Sequence, residues 1–150
     1  MAEPVDGAML FRFFNEIGII EQLARTRLER VLPHEMTMSQ FIVLNHFARL
    51  GVQQSPLELA RAMQVSKATM TNTVQKLASK QLVSVTADPR DGRGKIVSIT
   101  GTGRKARDQA IANITPELSE LATDLGLELF ETTLPYLETL RRKLDADRSE

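Results

Sequence analysis

The chain has 150 residues, 42% of them hydrophobic and 25% charged, with 19 basic and 19 acidic side chains and a formal net charge of zero. That is the length and composition of one ordinary globular domain with its own core. The absence of cysteine excludes disulfides, thiolate metal sites and cysteine-based redox sensing. No apolar run approaches the ~20 residues of a membrane span, and the first residues have neither the basic nor the apolar region of a signal peptide, so a cytoplasmic protein without a membrane partner is expected.

From Met9 to Leu32 the apolar residues Phe13, Ile17, Ile20, Ala24, Leu28 and Val31 recur at steps of three and four, and Pro33 follows. This spacing predicts a long amphipathic helix with a wide apolar stripe. A second helix is predicted over 39–50, with Thr37 and Ser39 as candidate caps and Gly51 closing it. Ser55-Pro56-Leu57-Glu58 combines an N-cap serine, proline at the first helical position and a capping-box glutamate, so a short third helix runs to about Met63. Gln64-Val65 then leads to Ser66, the N-cap of a fourth helix over 67–80 with Met70, Val74 and Leu77 facing inward. Two β-branched runs, 82–86 and 95–99, flank a turn-rich Asp88-Pro89-Arg90-Asp91-Gly92-Arg93-Gly94, which reads as a β-hairpin with an extended cationic tip. Thr100 caps a helix over about 103–122, and Pro116 predicts a kink or break near Thr115. After Asp124-Leu125-Gly126 a last helix carries Phe130, Leu134, Leu137, Leu140 and Leu144 at helical spacing, with Pro135 able to bend it.

Charge is unevenly distributed along this order. Residues 59–100 hold seven cations against Asp88 and Asp91, an excess of five, and both flanks are net negative. A phosphate backbone senses such a local field rather than the chain total. On the fourth helix Ala68, Thr69, Thr71, Asn72, Gln75 and Lys76 share the outward half, which contains no acidic residue. Two helices joined by a short turn, the second with a polar and acid-free outer face, have the composition of a helix-turn-helix. Ser66, Lys67, Thr69, Thr71 and Asn72 are candidate contacts to bases and phosphates, and Lys76 and Lys80 suit the phosphate backbone. The alternative for each is a solvated helix face. On the hairpin, Arg90 and Arg93 suit a narrow minor groove, Lys95 adds charge nearby, and Asp88 is placed to hold a guanidinium; the alternative is a surface turn with an exposed ion pair.

Other chemistries have little to stand on. His34 and His46 have no acidic residues near them at metal-ligand spacing, so no metal site is expected. Gly94-Lys95 lacks a phosphate-binding loop, since Pro89 stands at its first glycine and Ile96 at its Ser/Thr position. No cofactor loop or nucleophile–base pair is visible, so the chain is not expected to be an enzyme.

The order resembles the MarR family of transcriptional regulators. Similarity is carried by Thr37–Leu44, Ser55–Ala60, Ser66–Leu77, the wing run Asp88-Pro89-Arg90-Asp91-Gly92-Arg93, which matches a D-x-R-x-x-R pattern, and Ile99-Thr100-Gly101-Thr102-Gly103, which is similar to L-T-x-x-G. The resemblance implies a homodimer with the first, fifth and sixth helices interlocked. It also implies recognition helices in successive major grooves, wings in the flanking minor grooves, repression of promoters, and in many members release by a small aromatic or phenolic ligand. Three positions depart from the pattern: Gln81 replaces a helix-ending glycine, Val85 a frequent arginine, and Asn72 a residue that is often basic.

The fold class expected is therefore mainly α with a small β-hairpin wing. The winged helix-turn-helix occupies residues 37–100, and 8–34 with 101–147 form a helical dimerisation region. The function expected is a homodimeric transcriptional regulator, in the sense of a repressor, that reads a pseudo-palindromic site on double-stranded DNA. A winged-helix module for protein contacts is the alternative. Phe11, Phe13 and Phe14 fit a dimer core better than the wall of a pocket for a small aromatic ligand, though either use remains open.

Overall fold

The computed structural model describes residues 3–148 and forms two compact units, Met1–Asn113 and Ile114–Glu150. The first contains α1 (Gly7–Glu29), a 3-10 turn (Pro33–Glu35), α2 (Met38–Leu50), α3 (Pro56–Met63), α4 (Lys67–Ser79), β1 (Val83–Asp88), β2 (Asp91–Ile99) and the start of α5 (Gly101–Leu125). The second contains the rest of α5 and α6 (Leu127–Asp147). This is the mainly helical class with a two-stranded antiparallel hairpin that the sequence predicts.

Local capping chemistry sets most boundaries. Asp6 Oδ1 accepts from the Ala8 and Met9 amides at 3.1 and 3.2 Å and starts α1, which ends at Glu29, a few residues before Pro33. Thr37 rather than Ser39 caps α2, in a reciprocal capping box with Gln40, and Gly51 closes the helix in the left-handed region at φ +63°. Ser55 Oγ accepts from the Glu58 amide, but the Glu58 carboxylate accepts a hydrogen bond from the Ser55 hydroxyl at 3.2 Å in place of the second half of a capping box. Ser66 caps α4 through the Thr69 amide at 3.1 Å.

The core lies in the first unit. Val43, Leu44 and Phe47 of α2, Leu59 and Ala60 of α3, Met70, Val74 and Leu77 of α4, Leu82 and Val83, and Ile96 and Val97 of β2 are all buried. In α4 these are spaced four and three residues apart, in α2 Phe47 stands four and three residues from the adjacent Val43 and Leu44, and in α3 Leu59 and Ala60 are neighbours, so each set lies on one side of its helix. Val97 also exchanges two backbone hydrogen bonds with Gln54 (2.8 and 3.2 Å), so the segment before α3 covers the outer edge of β2.

Two expectations change. Strands β1 and β2 extend far into the predicted tip, leaving only Pro89-Arg90 as the turn. The pairing passes from Ala87↔Lys95 to Asp88↔Asp91, so Gly92, Arg93 and Gly94 are surplus on β2 and form an irregularity there. And α5 runs through Pro116 without a break, as α6 runs through Pro135. Each proline removes one bond to the carbonyl four residues earlier. Those carbonyls belong to Ala112 and Glu131, both exposed, so water can take the place of the missing donor.

The start of α5 is locked to the end of α4. Thr100 Oγ1 accepts from the Gly103 amide (2.9 Å) and donates to the Gln81 carbonyl (2.7 Å), while the Thr100 amide donates to the Leu82 carbonyl (3.1 Å). Gly103 is required by this approach, because a Cβ there would collide with the Leu82 carbonyl oxygen. Farther along, Arg107 Nε reaches Asn45 Oδ1 (3.1 Å) and Asn113 Nδ2 donates to the Val31 carbonyl (2.8 Å). Substitution Gly103→Ala is expected to destabilise the fold by about 3 kcal/mol, since the obstacle is backbone that must move. Urea denaturation measures this, and an unchanged midpoint would contradict the close approach.

Candidate nucleic-acid interface

Helix α4 presents two unlike faces. Met70, Thr73, Val74 and Leu77 are buried, against α2, α3 and β1 among others. Lys67, Ala68, Thr69, Asn72, Gln75 and Lys76 are exposed, and Thr71 is half-buried. The eight-residue α3 and the short connection after it present the N-terminus of α4 to solvent, with Gln64 taking the left-handed conformation (φ +61°) that the tight turn needs. The Ser66 hydroxyl is occupied: it caps the helix and donates to Thr69 Oγ1 at 2.9 Å. Thr69 keeps its own hydroxyl proton for an outside acceptor. Among the described residues the side chains of Lys67, Asn72 and Lys76 have no hydrogen-bond or ion-pair partner. Lys80 differs. Its ammonium donates to Gln40 Oε1 (2.8 Å) and to the Glu35 carbonyl (3.1 Å), and so is engaged inside the chain.

The hairpin tip is built by its two aspartates. Asp88 Oδ1 accepts from the Arg90 amide at 2.9 Å, and Asp91 Oδ1 from the Arg93 amide at 3.1 Å. These are Asx-type turns, in which a carboxylate stands in for a backbone acceptor. Contact between Asp88 and the Arg90 guanidinium is long, 3.4 Å, with the arginine side chain 73% exposed and the aspartate 12%. The carboxylate therefore fixes the arginine's backbone more than its head group. Arg93 projects from the irregular Gly92–Gly94 stretch, and Lys95 is exposed beside it. Val85–Ala87 and Gly92–Lys95 line a shallow concavity of about 290 Å³, with Arg93 and Lys95 supplying its charge. Gly94 lies close to Asp88, where an added Cβ would stand 3.5 Å from the Asp88 Cβ.

All ten predicted site residues thus fall on two neighbouring stretches of the first unit: Ser66, Lys67, Thr69, Thr71, Asn72 and Lys76 around α4, and Asp88, Arg90, Arg93 and Lys95 on the hairpin. The histidines lie apart from them. His46 Nε2 meets Gln54 Oε1 at 2.7 Å, and His34 sits in the turn after α1 with φ +56°. No group of acidic or histidine side chains among the described residues is arranged to hold a metal ion, and no helix is long and apolar enough to cross a membrane. Phe11, Phe13 and Phe14 are all exposed on α1, with Phe13 and Phe14 edge to face at 5.6 Å. Sequence reasoning missed the Lys80–Gln40 bond and the pairing of Gln54 with Val97, both of which join residues more than 35 positions apart.

A hairpin following two closely linked helices defines a winged helix-turn-helix. The MarR family profile matches residues 34–94. The HTH-type transcriptional repressor NicR of Pseudomonas putida is 30% identical over 115 residues, which cover 77% of this chain and 70% of NicR. Among solved structures, a cysteine-to-serine mutant of E. coli MarR complexed with operator DNA has the same fold, with a TM-score of 0.76 and 24% identity over 91% of this chain and 99% of that one. Wild-type apo MarR from E. coli matches with a TM-score of 0.70 and 25% identity, covering 93% of this chain and 98% of that one. The chain belongs to the MarR family of transcriptional regulators.

Because Asp88 acts on the turn's backbone, Asp88→Ala is expected to speed exchange of the Arg90 amide while lowering global stability by less than about 1 kcal/mol. Amide exchange and denaturation report the two separately. Equal protection of Arg90 in both proteins would remove Asp88 from the turn's construction.

Proposed function

We propose that this regulator is a homodimeric, sequence-specific reader of double-stranded DNA acting in the cytoplasm as a repressor. One observation carries the reading: within one unit, an acid-free polar face on α4 accompanies a hairpin whose turn is shaped by carboxylates bound to the arginine amides, with both arginine side chains exposed and only that of Arg90 touching a carboxylate, at 3.4 Å. In the role this assigns, Thr69, Asn72 and the exposed part of Thr71 face base edges. Lys67 and Lys76 face phosphates, and the amides capped by Ser66 orient the helix N-terminus. Arg90 and Arg93 enter a minor groove, with Lys95 at its rim and Asp88 holding the tip. The operator-bound MarR mutant of the same fold supports DNA as the partner, and NicR supports repression.

Dimerisation rests on unburied apolar surface. None of the residues of α1 or α6 is buried, yet Leu10, Phe14, Ile20 and Leu23 on the first and Phe130, Leu134 and Leu137 on the second are exposed. Apolar surface of this kind on each helix costs roughly 25 cal/mol per Å² left in water. Covering it with the same helices of a second copy gives a symmetric, self-complementary interface. On this reading residues 8–34 and 101–147 form the dimerisation region and 37–100 the reading head. Release by a small aromatic ligand is the finer part of the proposal, and it rests on the family alone.

Two results test this function. Selection of duplexes from a random pool is expected to enrich a pseudo-palindrome with half-sites about 34–36 Å apart. On that duplex Arg93→Ala should cost about 1–3 kcal/mol and lower the salt slope by about one. Salt-independent capture of a protein and no duplex would favour the protein-contact alternative. In sedimentation equilibrium the wild-type chain is expected to be a dimer and Leu134→Glu largely a monomer, because a carboxylate at that stripe cannot be buried unpaired. A wild-type monomer at tens of micromolar would sink the dimer.

A further inference from the structure

Lys80 stands at the C-terminal end of α4, where a cation would ordinarily be assigned to a phosphate. Its surroundings point elsewhere. Nζ lies 2.8 Å from Gln40 Oε1 and 3.1 Å from the Glu35 carbonyl. Gln40 is 3% exposed and is already the capping-box partner of Thr37 at the start of α2. Glu35 belongs to the connector between α1 and α2, where His34 and Glu35 hold φ angles of +56° and +52° in succession. Side chains with a Cβ rarely take that conformation, and two in a row persist only when surrounding groups hold them. The bonds available here are the Met36 amide to the Pro33 carbonyl (3.2 Å), the Met38 amide to Glu29 Oε1 (2.8 Å), and the Lys80 ammonium. Of these, only Lys80 reaches the connector from α4.

We infer that Lys80 is a positioning residue for DNA reading: its ammonium ties the C-terminal end of the recognition helix to the left-handed connector between α1 and α2, and it does not contact phosphate. The inference rests on the DNA-reading function proposed above. Leverage explains why such a tie matters. At 1.5 Å per residue, Lys67 lies roughly 18 Å along the helix from Ser79, so a small tilt allowed at the C-terminal end displaces the residues at the reading end by more than a hydrogen bond tolerates. The next residue makes the same end stiff from the other side. Gln81 is left-handed at φ +61°, and its carbonyl accepts from Thr100. The end of α4 is therefore held both by the connector and by the start of α5.

The test separates a tie from a phosphate contact by salt. Affinity for the selected duplex is measured over a salt series for wild type, Lys80→Met and Lys76→Met, at a temperature where circular dichroism shows all three folded. Lys80→Met keeps the apolar stem and removes the donors. It is expected to bind about tenfold more weakly at every salt concentration, the order expected when both hydrogen bonds of the tie are lost and part of that loss reaches the reading end, with the slope of log K against log salt unchanged. Lys76→Met is expected to reduce that slope by about one. A slope reduced by about one in Lys80→Met, or an affinity equal to wild type, overturns the inference.

Reductive methylation of the wild-type protein, mapped by mass spectrometry, decides the matter if the variant does not fold. Lys80 should label several-fold more slowly than Lys76, and DNA should protect Lys76 while leaving the Lys80 rate unchanged. Fast labelling of Lys80, or protection of it by DNA, overturns the inference. A wild-type protein that binds no duplex at all removes the DNA-reading function and this role with it, whereas wild-type binding with an unaffected Lys80→Met removes the role alone.

Discussion

Helix α4 must keep one face dry and the other wet, and the rest of the first unit is arranged around that demand. Leu77 is fully buried, as are Phe47 of α2, Leu59 of α3, Leu82 at the start of the hairpin and Val97 of β2. Burial of side chains this size is worth about 1.5–3 kcal/mol each, so the inner face of α4 is seated by several contributions that fail together. Thr73 shares the buried face without cost, since its hydroxyl donates to the Thr69 carbonyl one turn back at 3.0 Å. Apart from the Ser66 cap at its N-terminus, the outer face takes no part in the core. That freedom leaves threonine, asparagine and lysine on it able to meet groups outside the chain.

The hairpin solves the converse problem, that of holding long cationic side chains outward on a turn without tying them up. Pairing the arginines with carboxylates through their guanidinium groups would have fixed them and neutralised them together. Here Asp88 and Asp91 take the Arg90 and Arg93 amides, and only Arg90 also reaches its carboxylate through the guanidinium. The charge of Arg93 stays available, and that of Arg90 is touched only at 3.4 Å. With Lys67, Lys76 and Lys95 these cations account for the positive excess of residues 59–100, in a chain whose total charge is zero. Within about 8 Å, the Debye length at physiological salt, that excess is what a polyanion meets.

What could be read in the sequence was what acts between residues a few positions apart. Ser55 before Pro56, Ser66 before Lys67, Gly51 after Leu50 and the three-four spacing of Met70, Val74 and Leu77 each act over a single turn of chain, and each stands in the structure as the sequence suggests. The hairpin was legible as a hairpin, but its tip was not. Seven turn-forming residues fit a long loop as well as a two-residue turn with surplus residues on one strand, and the Asp–amide bonds that select the second depend on backbone geometry. The break that Pro116 allowed does not occur, for a related reason: proline disfavours a helix locally, but solvent at the exposed Ala112 can replace the one lost bond. The ties between elements were invisible. Lys80 to Gln40, Gln54 to Val97 and Asn113 to Val31 span 40, 43 and 82 positions, and no pattern of neighbours encodes which polar groups meet at such distance.

Backbone strain follows the same geography as these ties. The four non-glycine residues with positive φ among those described are His34, Glu35, Gln64 and Gln81. Gln64 ends α3, Gln81 follows α4, and the His34-Glu35 pair receives the Lys80 ammonium. Each costs about 1–2 kcal/mol relative to glycine-like freedom, and each is held by bonds that would be lost if it relaxed: Val65 to the Ala60 carbonyl (3.0 Å), Thr100 to that of Gln81, Lys80 to that of Glu35. A glycine at position 81 would relieve the strain but would also let α4 pivot, since glycine is free to leave the left-handed region. A glutamine held there by Thr100 makes the turn stiff. With Gln81 in place of the family's glycine, the C-terminal end of α4 is fixed by hydrogen bonds rather than by conformational preference, and Lys80, the residue that ends the helix, completes the fixing.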